Sequence, residues 1–139
     1  MSLSNEERQT LVSLYMNKAW QTFKDANIAA QANSWGMAAN RLYYSLFHAA
    51  TALFVNDGIE VGSHKGVKAK LGQHYIVTGK MSIEHSKFLA QMETLRDKAD
   101  YNIMFVATED DVLSNIPLAE AFIRKIERLI AENTRSINR

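Results

Sequence analysis

The stretch Arg96-Asp97-Lys98-Ala99-Asp100-Tyr101 ends on an arginine and a tyrosine five residues apart, a pair suited to phosphate chemistry. A guanidinium neutralises a phosphate through a planar two-pronged fork. A phenol beside it can donate a hydrogen bond, or act as acid or base if its environment tunes it. The simpler reading is an ion pair on one helix face, because Arg96 and Asp100 are four apart, as are Asp97 and Tyr101. Arg96 and Tyr101 stand about 140° apart on an ideal helix, so both can address one ligand only where the helix ends or unwinds. Asn102 permits that.

A second polar group, Arg41, Tyr44, Ser45 and His48, falls in one stripe of an otherwise apolar segment. An arginine and a histidine there need partners, since unpaired burial costs several kcal/mol. Either they line a pocket for a phosphate or carboxylate, or they form a structural network, with Arg41 paired to an acid on a neighbouring helix and His48 bonded in the core.

Other chemistries are disfavoured. No Glu is followed three residues later by His, and the pattern His-Glu-x-x-His is absent. The histidines at 48, 64, 74 and 85 are scattered, so no metal site and no cofactor is expected. There is no phosphate-cradling Gly-rich loop, no G-x-S-x-G elbow and no cysteine. Sixteen Lys and Arg against 15 Asp and Glu give a net charge of +1, too little for binding polyanions by bulk charge. Lys65, Lys68, Lys70 and Lys80 read as a solvated helix face rather than a DNA-recognition helix. No run approaches the roughly 18 apolar residues of a membrane span, and the start is too polar for a signal peptide, so a cytoplasmic location is expected.

With 139 residues, one proline and six glycines, the chain reads as one domain, 1–139, of long helices. Ser4 and Glu7 form a capping box before an amphipathic helix over 5–32. Asn33 and Ser34 offer a break and a new cap. A helix over 35–56 has no single wet face, so it is placed at the centre, covered by neighbours or by a second subunit; Gly58 stops it. A short helix spans 64–77 between Ser63 and Gly79, weakened by Gly66 and Gly72. Ser82 caps the next helix, which fades near Tyr101 and Asn102. Thr108 and the acids at 109–111 start the last one, with Pro117 kinking it or lying in its first turns. The expected fold is all-α: an up-and-down four-helix bundle with one short additional helix.

The stretches AANRLYYSLFHAATALF at 38–54, SHKGV at 63–67, GQHYIVTGK at 72–80, LRDKADYN at 95–102 and ATEDDV at 107–112 together resemble the HEPN domain family, in its small stand-alone prokaryotic group. The resemblance spans most of the chain. It implies a helical bundle, commonly a homodimer, and often a metal-independent ribonuclease whose motif runs Arg, a polar residue, a few more residues, then His, at the dimer cleft. Such proteins are often the toxin half of a toxin–antitoxin pair beside a minimal nucleotidyltransferase. By this resemblance Arg96 and Asp97 match the start of the motif, and Tyr101 stands where the histidine belongs, as is common in the stand-alone group. A phenol near pKa 10 is a poorer base than imidazole at neutral pH. Lys98, Asp100, His64 and His74 are candidate cleft residues. Arg41 and His48 fit an Arg-x6-His spacing on another helix and are assigned to packing or pocket support. Three functions follow: a toxin-like RNA-cleaving or RNA-binding protein, a non-catalytic nucleotide- or protein-binding module, and a dimeric scaffold. The first requires the Arg96 guanidinium to face an open groove shared between subunits, with the Tyr101 phenol turned toward the same space.

Overall fold

The computed structural model describes residues 3–60 and 64–137, with side chains for 3–60 and 66–134. The described residues are helical and contain no strand: α1 (Asn5–Gln31), α2 (Trp35–Asp57), α3 (His64–Leu71), a π turn (Gly72–Ile76), α4 (Ile83–Tyr101), α5 (Glu109–Leu113) and α6 (Ile116–Ile137). The bundle is built around α2, which packs on α1, α4 and α6 and touches α3 and α5. The α1–α2 contact is the most extensive of the bundle, and both helices bury alanines: Ala19, Ala26 and Ala30 on one, Ala38, Ala39 and Ala49 on the other. Small side chains let the two axes approach closely. Leu42, Leu46, Leu53, Met92, Phe122, Ile123 and Ile126 are buried in the same core.

The helix ends follow local chemistry. Ser4 and Glu7 form the expected reciprocal cap, at 3.0 and 3.1 Å. Asn33 takes the left-handed backbone that turns α1 into α2, with φ of 60°. Ser34 occupies the cap position of α2 but its hydroxyl makes no capping bond. Gly58 ends α2 with φ of 72°, where a side chain would be strained. The proposed Ser63 cap lies outside the described residues.

Two expectations are corrected. The short helix does not run uniformly to residue 77: it widens at Gly72, where the Val77 N–H reaches back five residues to the Gly72 carbonyl at 3.0 Å. Among the described side chains of this segment, Val67, Leu71 and Tyr75 are the buried ones. Strict four-residue steps drift about 40° each around an α-helix, and the wider turn absorbs that drift so that Tyr75 stays inside. The last helix is also divided. Thr108 and Asp111 cap only the five-residue α5, and Ser114 and Asn115 intervene before α6. Pro117 then lies in the first turn of α6, where no intrahelical N–H is required of it.

At the start of α4, the Ser82 N–H donates to His85 Nδ1 at 3.0 Å. The ring also packs edge-on to Phe122. Burial lowers the His85 pKa from 6.5, and the nearby Lys125 and Arg128 lower it further. A depressed folded-state pKa means the unfolded chain binds more protons, so stability is complete above about 6.5 and falls as the pH drops through the folded value. Thermal melts from pH 8 to 5 are expected to show that acid-side loss in the wild type. In His85→Gln it should be shallower; an unchanged profile would clear His85 of the effect.

Candidate functional site

The C-terminal turns of α4 lie antiparallel against the N-terminal half of α2, bringing both polar groups of the sequence to one corner. Arg96 is its centre. Its side chain is only 13% exposed, and Nη2 pairs with Asp97 Oδ1 at 2.9 Å. Nη1 donates to the Tyr44 hydroxyl at 3.3 Å. The guanidinium carbon lies 4.9 Å from the Tyr43 ring centre, 5.5 Å from Tyr44 and 5.9 Å from Tyr101. Three aromatic rings thus surround one cation, a favourable arrangement for a planar guanidinium. Burial works against the charged form, but Tyr44, Asp97, Tyr43 and Tyr101 outweigh it and raise the Arg96 pKa. The Arg96 Nε is buried with no hydrogen-bond partner among the described residues.

The expected Arg96–Asp100 pair does not form. Asp100 instead accepts from Asn40 Nδ2 on α2 at 2.8 Å. Asn40 Oδ1 in turn receives Arg41 Nε and Nη2, at 2.9 and 2.7 Å. Arg41 therefore reaches the acid on α4 through an amide rather than directly. Asn40 is the residue that sequence reasoning missed: one asparagine beside an arginine carries no signal until α4 is laid across it.

Helix α4 ends on Tyr101, and Asn102 has extended backbone angles. That ending leaves the Tyr101 side chain 76% exposed while its ring still reaches Arg96. The expectation that the Arg96 guanidinium faces an open groove is corrected: in the single chain Asp97, Tyr43 and Tyr44 hold it against its own bundle, and only the Tyr101 phenol faces solvent. Beside the phenol lies an open depression of about 720 Å³, lined by Gly36, Met37, Asn40, Arg41, Ala99, Asp100 and Tyr101. Arg41 is half-buried there and stacks on Tyr44 at 5.5 Å.

The other candidates separate. Ser45 is fully buried and donates to the Leu42 carbonyl, so it leaves the polar stripe. His48 is half-buried one turn beyond Tyr44, with ring centres 6.3 Å apart. Lys98 is exposed and lies over Phe105 at 5.9 Å. His74 is on the π turn against Tyr75, whose hydroxyl reaches Asp57, about 20 Å along α2 from the Arg96 contacts. The side chain of His64 lies outside the described residues. Among the described residues no group of His, Asp and Glu could hold a metal ion, and no helix is long and apolar enough to cross a membrane.

A second ring of contacts supports the corner from behind. The Tyr43 hydroxyl donates to Glu93 Oε2 at 3.2 Å, and Lys68 on α3 lies 3.9 Å from Glu93 Oε1. Burial pushes the Tyr43 phenol far above its ordinary range, and Glu93 adds to the shift. Tyr43 is therefore a fixed neutral ring under the guanidinium, not an acid or base.

Comparison with known proteins agrees with this fold. The family model for the HEPN domain matches residues 12–129. A "UPF0332 protein" of Thermotoga maritima is 30% identical over 130 residues, 94% of this chain and 98% of that protein. In Methanocaldococcus jannaschii, the protein named "Putative toxin MJ0605" is 28% identical, with 91% of each chain covered. "Putative toxin MJ0142" of the same organism is 22% identical over 85% of this chain and 81% of its own. With the match running from within α1 to within α6, and so through the whole Arg96–Tyr101 corner, the chain belongs to the HEPN domain family.

Proposed function

We propose that this protein binds and cleaves RNA at the Arg96–Tyr101 corner, as the toxin-type member of a paired system. The observation that carries the reading is a charged, nearly buried guanidinium under an exposed phenol that borders an open depression. The relatives named as toxins support the paired-system part. In the reaction a ribose 2′-hydroxyl attacks the adjacent phosphorus, the P–O5′ bond breaks, and a 2′,3′-cyclic phosphate and a 5′-hydroxyl result. Arg96 offsets the charge growing on the phosphoryl oxygens. The 2′-hydroxyl gives its proton to solvent water as it attacks. The Tyr101 hydroxyl donates its proton to the departing 5′ oxygen, a role a phenol fills better than that of base, and is reprotonated from solvent. Access to Arg96 requires the Asp97 carboxylate to yield its place to phosphate.

Homodimerisation completes the proposal. The stripe of α2 that one chain leaves half-covered runs through Arg41, Tyr44, His48, Thr51 and Val55, and a second copy laid on it brings two corners into one cleft. A minimal nucleotidyltransferase is the partner of the paired system in this reading.

A second reading, nucleotide binding without turnover, is favoured by the intact Arg96–Asp97 pair and by a phenol in the histidine's place. One experiment separates the two: generic RNA incubated with the purified protein in EDTA, with Arg96→Ala alongside. Cyclic-phosphate product from the wild type alone supports cleavage. Saturable nucleotide binding without product, lost in the variant, supports the second reading. Equal behaviour of both proteins removes Arg96 from the site.

Tyr101→Phe is expected to cut cleavage by about tenfold or more while leaving the melting temperature unchanged, because the ring stays and the hydroxyl is exposed. A lowered melting temperature with full activity would assign Tyr101 to packing instead.

A further inference from the structure

At the start of α4, about 16 Å along that helix from Arg96, a pocket of about 300 Å³ opens between α4 and α6. Both helices pack on α2, and their backbones barely approach each other. Rings bridge the gap: His85 meets Phe122 edge-on with centres 6.0 Å apart, and Phe88 meets Phe122 at 6.3 Å. The buried Phe88 and Phe122 form the floor, and the exposed Leu118 and Ala121 form the wall on α6. The pocket is about two helical turns long, from residue 84 to 91 on α4. That is a short seat for a partner helix and falls in the size range of small-molecule sites.

One polar group enters this apolar pocket with its chemistry fixed. The Ser82 N–H can only donate, so His85 Nδ1, 3.0 Å away, must accept. A neutral imidazole then carries its proton on Nε2, on the ring edge turned away from the helix cap. That N–H has no hydrogen-bond partner among the described residues, and His85 lines the pocket. Charge is graded along the same space. Leu118, Ala121, Phe122, Lys125 and Arg128 share one face of α6, and the last two lie close enough to His85 to depress its pKa. This face therefore passes from apolar to basic beside the free N–H. On the opposite rim Glu84 and Lys87 offset each other, at 3.9 Å.

We propose that the pocket binds a small aromatic carboxylate. Its rings lie on Phe88, Phe122 and Leu118, and its carboxylate accepts from His85 Nε2–H on the side of Lys125 and Arg128. The site stands apart from the Arg96–Tyr101 corner and does not depend on whether that corner cleaves RNA.

The test titrates the full chain with 2-naphthoate, and with its uncharged isostere 2-naphthamide as control, by calorimetry and by amide NMR shifts. The acid is expected to bind at least about tenfold more tightly than the amide, the scale of a hydrogen bond to a charged group. A121W, which fills the pocket from an exposed position, should abolish binding of both with the melting temperature unchanged. H85F keeps a ring against Phe122 but removes the N–H, and should bring the acid down to the affinity of the amide. K125Q/R128Q should weaken the acid severalfold and flatten its salt dependence. Shifts should fall on residues 84–91 and 118–125. Circular dichroism melts report folding; if H85F does not fold, A121W and the amide control decide the result. Equal binding of acid and amide, no binding of either, or wild-type affinity in folded A121W overturns the proposal. Shifts at Met37 and Tyr101 in place of 84–91 also overturn it, by giving the acid to the depression at the corner.

Discussion

Arg96→Met is expected to stay folded and lose RNA cleavage in EDTA by at least about a hundredfold, the usual cost of removing one preorganised donor to a developing negative charge. Methionine keeps an unbranched apolar stem against Tyr43 and Tyr44 while deleting the charge, so lost activity is separated from lost packing better than with alanine. Some stability goes with the cation–ring contacts, about 1–2 kcal/mol for a largely desolvated guanidinium. Arg96→Lys keeps the charge but loses the planar fork and the stacked geometry; its rate is expected between the two. The measurement is the rate of cyclic-phosphate formation with a circular dichroism melt on each variant. Arg96→Met cleaving at the wild-type rate would contradict the role given to the guanidinium. The same variants bear on Asp97: if its carboxylate must yield to phosphate, Asp97→Asn loosens the pair and tightens RNA binding.

The largest effect on stability is expected at the opposite end of α2. Asp57 accepts the Tyr75 hydroxyl from the π turn and Asn133 Nδ2 from α6, the latter at 2.9 and 3.1 Å. Beside it Thr134 donates to Asn56 Oδ1 at 3.1 Å, and Arg8 of α1 donates to the Val55 carbonyl. One helix end thus ties together three other elements. Tyr75 is buried against Phe54; burial and the Asp57 hydrogen bond hold its phenol neutral far above its ordinary range. Asp57→Ala leaves that hydroxyl and the Asn133 amide without their acceptor, at roughly 1–3 kcal/mol for the buried hydroxyl and about 1 kcal/mol for the half-buried amide. A total of about 2–4 kcal/mol is expected in urea melts. Tyr75→Phe removes one donor while Asn133 still satisfies Asp57, and about 1 kcal/mol is expected. In the double variant the losses should fall short of their sum, because both singles break the same bond. Strict additivity would mean the hydrogen bond contributes nothing.

The HEPN assignment rested on stretches spread along the whole chain, and the fold they implied is the one observed, with α2 at the centre. Helix ends were legible where the interaction is local. Ser4 with Glu7, Thr108 with Asp111 and Gly58 each act within one turn, so residue type and spacing were enough. The division at Ser114 and Asn115 and the π turn at Gly72 were not legible. The π turn answers to contacts elsewhere, the burial of Tyr75 against Phe54 and its bond to Asp57. The division is held by local bonds, Ser114 Oγ to the Asp110 carbonyl and Asn115 Nδ2 to the Asp111 carbonyl, for which residue type alone gives no clear signal.

The candidate site divides the same way. Arg96, Asp97 and Tyr101 were visible as residues, and the end of the helix at Tyr101 was expected from Asn102. That Asp97 rather than Asp100 would take the guanidinium could not be read, since a helix offers both positions and only α2, through Asn40, draws Asp100 away. Nor could the three tyrosine rings around Arg96, of which two belong to another helix. The amino-acid order determined which side chains share a helix face, because a helix repeats every 3.6 residues whatever surrounds it. How α4 is rotated and slid along α2 depends on all the side chains packed between them at once, so the partners of Arg96 and the opening over Tyr101 were decided by tertiary structure alone.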